Sequence, residues 1–318
     1  SLHDALPISM QLRRTSCAAA KMGIRIANLQ DGEAVDSFFL VTRVTQATTR
    51  NGATYLTLQL RDVTGDVAAR VWDPGAACRG GTPTVGVYRV RGRVERFREE
   101  QQLNVDAIVP YEPVGMEFDE VVRCSRWSGD VLVAEIRAHV EATVRTAPLR
   151  GLLLAVLDHD EVQTRLPLWP AASKNHHAYR GGLAEHILSG MRLASTIAGH
   201  YAHYYPGLVS EEMLVAGFML HDLAKIWEMD GGLDTAYTTP GKLVGHIPMG
   251  AMFVERVARE RGDVPDALLW ELQHLVLSHH GEYEYGSPKV PKTVEAQLLH
   301  YIDQIDAKAN AFASLQFG

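Results

Sequence analysis

Cysteine is scarce: Cys17, Cys78 and Cys124 are the only three in 318 residues, far apart and without C-x-x-C spacing. That excludes a disulfide framework and a thiolate zinc site and points to a reducing, cytoplasmic setting. Long apolar runs are missing too. The longest, such as Leu152 to Leu157, fall far short of the roughly 20 residues that a membrane-spanning helix needs. Arg13 and Arg14 suggest a twin-arginine export signal, but Thr15 to Lys21 is too short and polar for the apolar segment that must follow. Solenoid-period repeats and low-complexity tracts are also lacking. What remains, with 46% hydrophobic and 22% charged residues, is a globular chain long enough for about two domains.

The net charge of −7 is unevenly spread: residues 1–112 carry 14 basic and 12 acidic side chains, residues 113–318 carry 17 and 26. A basic front suits a polyanion, and an acidic, histidine-rich back suits metal ions. Residues 1–21 have no periodicity and read as a disordered or non-native extension. Across 22–112 the pattern alternates with period two, in Phe39–Val44, Tyr55–Leu60, Val67–Trp72, Val87–Val94 and Gln102–Val109, with turn signals at Asn51-Gly52, Gly65-Asp66, Pro74-Gly75 and Gly80-Gly81. Five short strands in this span predict a small barrel, and the segment resembles an OB-fold of the anticodon-binding type. Residues 113–127 read as a linker, since Pro110 to Phe118, with two prolines, a glycine and no periodicity, separates the two patterns. From 128 to 318 the pattern turns helical, with a helix capped at Ser128-Gly-Asp130 and others from Leu149, Glu211, Ile247, Asp266 and Val294.

Ten of the 14 histidines fall between His176 and His280. A lone helical histidine is more often a satisfied core or surface group than a ligand, so the arrangement has to carry the argument. His186, His221-Asp222, His246, His279-His280 and Asp303 each lie in an apolar helical context, which turns ionisable groups inward toward one another. Without partners each would cost several kcal/mol to bury, whereas divalent cations make them satisfied ligands. Asp306 competes with Asp303 for the last position.

This ordered pattern, H…HD…H…HH…D, resembles the HD-domain phosphohydrolase superfamily in its binuclear form. The resemblance implies His186, His221, Asp222 and Asp303 around one ion, and His246, His279 and His280 around a second, with Asp222 bridging. It implies an all-α HD bundle behind the all-β OB-fold barrel. Lys225, three residues after Asp222, projects on a helix from the same face as the ligand pair and is a candidate for neutralising a phosphate oxygen; the alternative is a surface lysine. Lys174, His176, His177 and Arg180, just before the first ligand helix, suit phosphate oxygens, or else cap the helix and meet water.

Further motifs narrow the family. Pro170-Ala-Ala, His176-His-Ala-Tyr179, Gly181-Gly-Leu183, His221-Asp-Leu-Ala-Lys225, Gly241-Lys-Leu-Val-Gly-His246, Leu277-Ser-His-His-Gly281 and Tyr301-Ile-Asp-Gln-Ile-Asp-Ala-Lys308 together are similar to the bacterial YhaM family of 3′→5′ exoribonucleases, over about residues 24–312. That resemblance implies hydrolysis of single-stranded RNA to 5′-mononucleotides, with single-stranded DNA as a further substrate, and manganese as the expected metal, iron, cobalt or zinc being alternatives. It leaves a homo-oligomer open. In the barrel, Arg89, Arg91 and Arg93 alternate with Val90, Gly92 and Val94, so three guanidinium groups share one strand face that can track phosphates. Tyr55, Trp72, Tyr88 and Phe97 are candidate stacking platforms, or core. Two rival readings stand beside this one: an HD phosphodiesterase acting on small nucleotides, and a noncatalytic nucleic-acid-binding regulator.

Overall fold

The computed structural model describes residues 24–98, 100–112, 121–173, 176–233 and 235–317. The expected extension over 1–21 lies outside these residues, as does the 113–120 part of the expected linker. Two compact units divide the described chain, one reaching Cys124 and one running from Ser125 to Phe317.

In the first unit, five strands close a barrel: β1 Ala34–Thr48, β2 Thr54–Asp62, β3 Gly65–Val71, β4 Gly86–Phe97 and β5 Glu100–Pro110. The order around it is β1-β2-β3-β5-β4, with β3 and β5 parallel and the other pairs antiparallel, which is the connectivity of an OB-fold. Alternation builds it. Leu56, Leu58 and Leu60 on β2 point inward with Phe39, Val71, Val90, Leu103 and Ile108, and the intervening residues face out. β1 is much longer than the Phe39–Val44 that periodicity predicts. It pairs with β4 along Ala34–Val41 and with β2 along Leu40–Thr48, bending at an irregularity between Val41 and Arg43. A strand that serves two neighbours in succession needs such a bulge, and the bulge breaks the alternation that reveals a strand in sequence. Gly92 marks a second one in β4, where an added Cβ would lie 2.1 Å from the Asn104 carbonyl oxygen. The Pro74-Gly75 turn becomes a one-turn helix, α1 Pro74–Ala77, capped by the Asp73 carboxylate.

The second unit is helical: α2 Gly129–Thr143, α3 Ala147–Asp158, α4 Asp160–Arg165, α5 Gly182–Tyr204, α6 Glu211–His221, α7 Lys225–Glu228, α8 Thr239–Leu243, α9 His246–Arg261, α10 Asp266–Ser278 and α11 Val294–Phe317. α2 starts after Ser128 as its sequence predicts, yet the Ser128 side chain makes no capping bond. α6 is the central helix, with every residue from Leu214 to His221 buried. An all-round apolar sequence of this kind fits only an element surrounded by others, and α5, α9, α10 and α11 pack against it. Gly190 on α5 makes room for this packing, since an added Cβ would meet the Phe218 ring at 1.9 Å. No described helix is long and apolar enough to cross a membrane.

Candidate metal centre

The close approach of α5 to α6 sets His186, one turn into α5, against His221, the last residue of α6, with Nε2 atoms 3.2 Å apart. Asp222 follows the helix end, so α6 and α7 are not the continuous helix that the Lys225 spacing assumed. The turn nonetheless brings the buried Lys225 ammonium to 2.5 Å from Asp222 Oδ2. His246 opens α9, His279 and His280 follow the end of α10, and Asp303 lies on α11. Helix ends, rather than helix faces, supply most of this site.

Asp222 stands at the middle. Its Oδ2 lies 3.6 Å from His186 Nε2 and 3.5 Å from His221 Nε2, while Oδ1 lies 3.3 Å from His246 Nε2 and 3.6 Å from His279 Nε2. Asp303 Oδ1 closes the first side, 3.3 Å from His186 Nε2 and 3.8 Å from His221 Nε2. The donor atoms of His186, His221 and Asp303 all lie within 4.8 Å of one another, and so do those of His246, His279 and His280. All seven predicted metal-ligating residues therefore gather at one place, in two groups that share Asp222.

The outward nitrogen of every ring is tied to an acceptor. Nδ1 of His221 meets the Phe218 carbonyl oxygen at 2.7 Å, that of His279 the Val276 oxygen at 2.7 Å and that of His280 the Tyr285 oxygen at 2.8 Å. A carbonyl only accepts, so these three rings carry their proton on Nδ1 and present an Nε2 lone pair. For His186 and His246 the acceptor is a carboxylate, Asp306 Oδ2 at 2.7 Å and Glu228 Oε1 at 2.8 Å. Four imidazole nitrogens, Nε2 of His186, His221, His246 and His279, are thus aimed at the Asp222 carboxylate. Asp222 Oδ1, Asp303 Oδ1, His246 Nε2 and His279 Nε2 are buried without a hydrogen-bond partner among the described residues. Orphaned acceptors at this depth each cost about 1–3 kcal/mol or more, and divalent cations held by the two groups would satisfy all four. The donor set fits such ions, and each of the five histidines has the supporting outer bond that metal-bound histidines use.

Charge balance says the same. Burial raises the Asp222 carboxyl, but the Lys225 ammonium and the nearby imidazoles outweigh it and hold the group well below the usual carboxylate range. Asp303 is held down in the same way by His186 and His221, against its burial. His186 is desolvated, yet Asp303 and Asp306 push it up to about 10. His279 goes the other way, driven down by burial to about 3.

Other predicted residues are placed differently. Asp303 and Asp306 each meet a different nitrogen of His186, and Asp306 also accepts from His177 Nε2 at 2.9 Å and from the Ser189 hydroxyl, so His177, His186 and Asp306 form a further group that could hold an ion. His177, expected to contact substrate, is buried behind His186, with its Nδ1 3.0 Å from the Tyr179 hydroxyl and its amide donating to Asn310. His176 does stay beside the cage, its ring 5.8 Å from that of His186, and burial lowers it to about 4. Arg180 is half-buried and its carbonyl accepts from Ser125. Lys174 lies outside the described residues. Glu228 was missed altogether; its position seven residues after His221 carries no signal, because the chain has already left the helix.

On the barrel, Arg89, Arg91 and Arg93 do share the outward face of β4. They are not a free basic track, however. Arg89 is held in a two-bond pair with Asp36, at 2.8 and 2.9 Å, and Arg93 donates to the Gly32 carbonyl. Tyr88 is core, its hydroxyl accepting from the Thr84 amide. Tyr55, Trp72 and Phe97 instead surround the Arg70 guanidinium, which lies 5.6 to 5.7 Å from each ring. Trp72 and Phe97 are 45% and 50% exposed, so this cluster, rather than the arginine row, offers open aromatic faces.

A helical bundle that buries paired histidines and aspartates around a cation site defines a metal-dependent HD phosphohydrolase, and residues 183–308 match the HD domain family. Over 286 residues, 90% of this chain and 86% of the relative, the sequence is 33% identical to the 3'-5' exoribonuclease YhaM of Geobacillus sp. (strain WCH70). It is 35% identical over 281 residues to the 3'-5' exoribonuclease YhaM of Bacillus subtilis (strain 168), covering 88% of this chain and 86% of that one. The chain belongs to the YhaM 3'-5' exoribonuclease family and is a hydrolytic enzyme, with histidine and aspartate groups that could hold divalent metal.

Proposed function

We propose that this protein is a 3′→5′ exoribonuclease that hydrolyses single-stranded RNA, and secondarily single-stranded DNA, to 5′-mononucleotides, using two divalent cations, with manganese the first candidate. The observation that carries the reading is the division of Asp222 between two groups of ligands, Oδ2 toward His186 and His221 and Oδ1 toward His246 and His279. His186, His221 and Asp303 would hold one ion and His246, His279 and His280 the other, with Asp222 common to both. Ions so held supply Lewis acidity, lowering the pKa of water and offsetting charge on a phosphodiester.

The chain's own residues set the stage for that chemistry. Lys225 holds Asp222 in place, a positioning role that differs from the phosphate contact its spacing suggested. Asp306 and Glu228 fix the rings of His186 and His246 in the orientation that leaves Nε2 inward. On the OB-fold, Arg70 with Tyr55, Trp72 and Phe97 provides faces on which bases of any identity can stack, which suits a nuclease without sequence preference. We assign barrel residues 22–112 to strand binding, 113–127 to a linker and 128–318 to hydrolysis.

Oligonucleotides labelled at either end, in ribose and deoxyribose form and with manganese, iron, cobalt or zinc, test the proposal. Progressive loss of 3′ nucleotides from RNA supports it. Turnover of cyclic dinucleotides alone would favour a small-nucleotide phosphodiesterase, and strand binding that survives chelation with no processing in any metal would favour a regulator.

A further inference from the structure

Beside the cage lies an open cleft of about 360 Å³ lined by His176, His280, Tyr285, Asp303, Gln304 and Lys308. Two of these, His280 and Asp303, belong to the candidate metal ligands, so whatever enters the cleft arrives at the centre from this side. Its volume is at the low end of the roughly 300 to 1,000 Å³ of small-molecule sites, suited to one nucleotide and too small for paired strands.

The lining is also chemically uneven. Asp303, Gln304 and Lys308 occupy one side of α11, and Lys308, exposed, has no ion-pair partner among the described residues. The lysine inside the centre, Lys225, is already buried on Asp222. Across the cleft, Tyr285 ends a single turn of 3-10 helix, Tyr283–Tyr285, and its carbonyl is the acceptor that anchors His280. That bond ties the position of Tyr285 to a candidate metal ligand, while the residue is 63% exposed and its ring rests on no other aromatic ring among the described residues. A solvent-exposed aromatic held by its backbone beside a hydrolytic centre is a platform lacking its partner.

We propose that this cleft seats the terminal nucleotide of the strand, with the base on Tyr285 and Lys308 on the adjoining phosphate. The proposal rests on the nuclease reading given above and assigns the part of the site that receives substrate. It explains why the segment after His280 carries two tyrosines before Gly286, a stretch that the ligand set leaves unused.

Steady-state kinetics on single-stranded RNA, inhibition by AMP, and equilibrium dialysis of AMP against the manganese-loaded full chain test it together. Tyr285→Ala should raise KM and weaken AMP roughly tenfold, with kcat little changed, and Tyr285→Phe should behave as the original protein does. Lys308→Ala should reduce the slope of log(kcat/KM) against log salt by about 0.7, the loss of one phosphate contact on a single strand. Both side chains are exposed, and equal melting temperatures would show that the fold is retained. Unchanged KM, AMP affinity and salt slope in an enzyme that still degrades RNA would overturn the cleft assignment and leave the nuclease reading standing. If no strand is degraded in any metal, the nuclease reading falls; dialysis then decides the cleft alone, with AMP binding lost in Tyr285→Ala retaining it as a nucleotide site and unchanged binding removing it.

Discussion

The two units handle charge in opposite ways. The helical unit buries Asp222 and Asp306 and half-buries Asp303 among imidazoles, and leaves the buried Asp222 Oδ1 and Asp303 Oδ1 without hydrogen-bond partners among the described residues. The barrel keeps most of its charges outside and neutralises them locally, as in Arg89 with Asp36 and Arg61 with Asp66, and its buried acid, Asp62, is satisfied by the Ile26, Thr64 and Gly65 amides. Buried groups left incomplete indicate a missing ligand, because the cost of desolvation has to be offset by something. Exposed groups already paired indicate little, since water screens them and the pair contributes almost nothing. The same residue types therefore mean a site in one unit and a coat in the other.

The largest expected effect breaks the helical side of this contrast. Asp222→Ala removes the carboxylate common to both groups, and hydrolysis of labelled RNA should fall to below about a thousandth, while binding measured by fluorescence anisotropy persists. Hydrolysis near the original rate would refute a shared carboxylate. Next comes the outer layer: Asp306→Asn keeps the shape but weakens the anchor on His186, and manganese affinity measured by titration should drop about 10- to 100-fold. An unchanged affinity would reduce Asp306 to packing.

Smaller effects belong to the barrel. Trp72→Ala should weaken binding of single-stranded RNA by about 1–3 kcal/mol, read with chelator present so that no strand is cut. Arg89→Ala should change the same affinity less than about twofold, because its guanidinium already serves Asp36. The reverse ranking, with Arg89 dominant and Trp72 silent, would restore the arginine row as the binding track. Chelation sharpens the contrast from another direction: removal of metal should lower the melting temperature of the helical unit, by a loss of about 2.7 kcal/mol where the free ion had stood at a hundred times its Kd. Calorimetry should find the barrel transition unmoved.

Much of the site could be read in the chain because His186, His221, Asp222, His246 and His279 each interrupt an apolar run, and such interruptions face inward. The remainder could not. Asp303 and Asp306 are three residues apart on α11, so spacing treats them as rivals, whereas the fold uses both, one on each nitrogen of His186. Glu228 meets His246 across 18 residues and a change of direction, and His177 looks exposed in sequence but is buried by α11 through Asp306 and Asn310. The arginine row was correctly placed on one strand face, yet Asp36 reaches it only because β1 pairs with β4 across 53 residues.

The amino-acid order by itself determined the two kinds of unit and six of the seven side chains that gather at the cage, because periodicity and apolar context are properties of neighbours along the chain. Which nitrogen points where, which acid binds and which merely supports, and which basic groups remain unpaired were decided only in three dimensions. Those outcomes depend on distances between segments that no local pattern records, and on a desolvation cost that exists only after the segments have closed around one another.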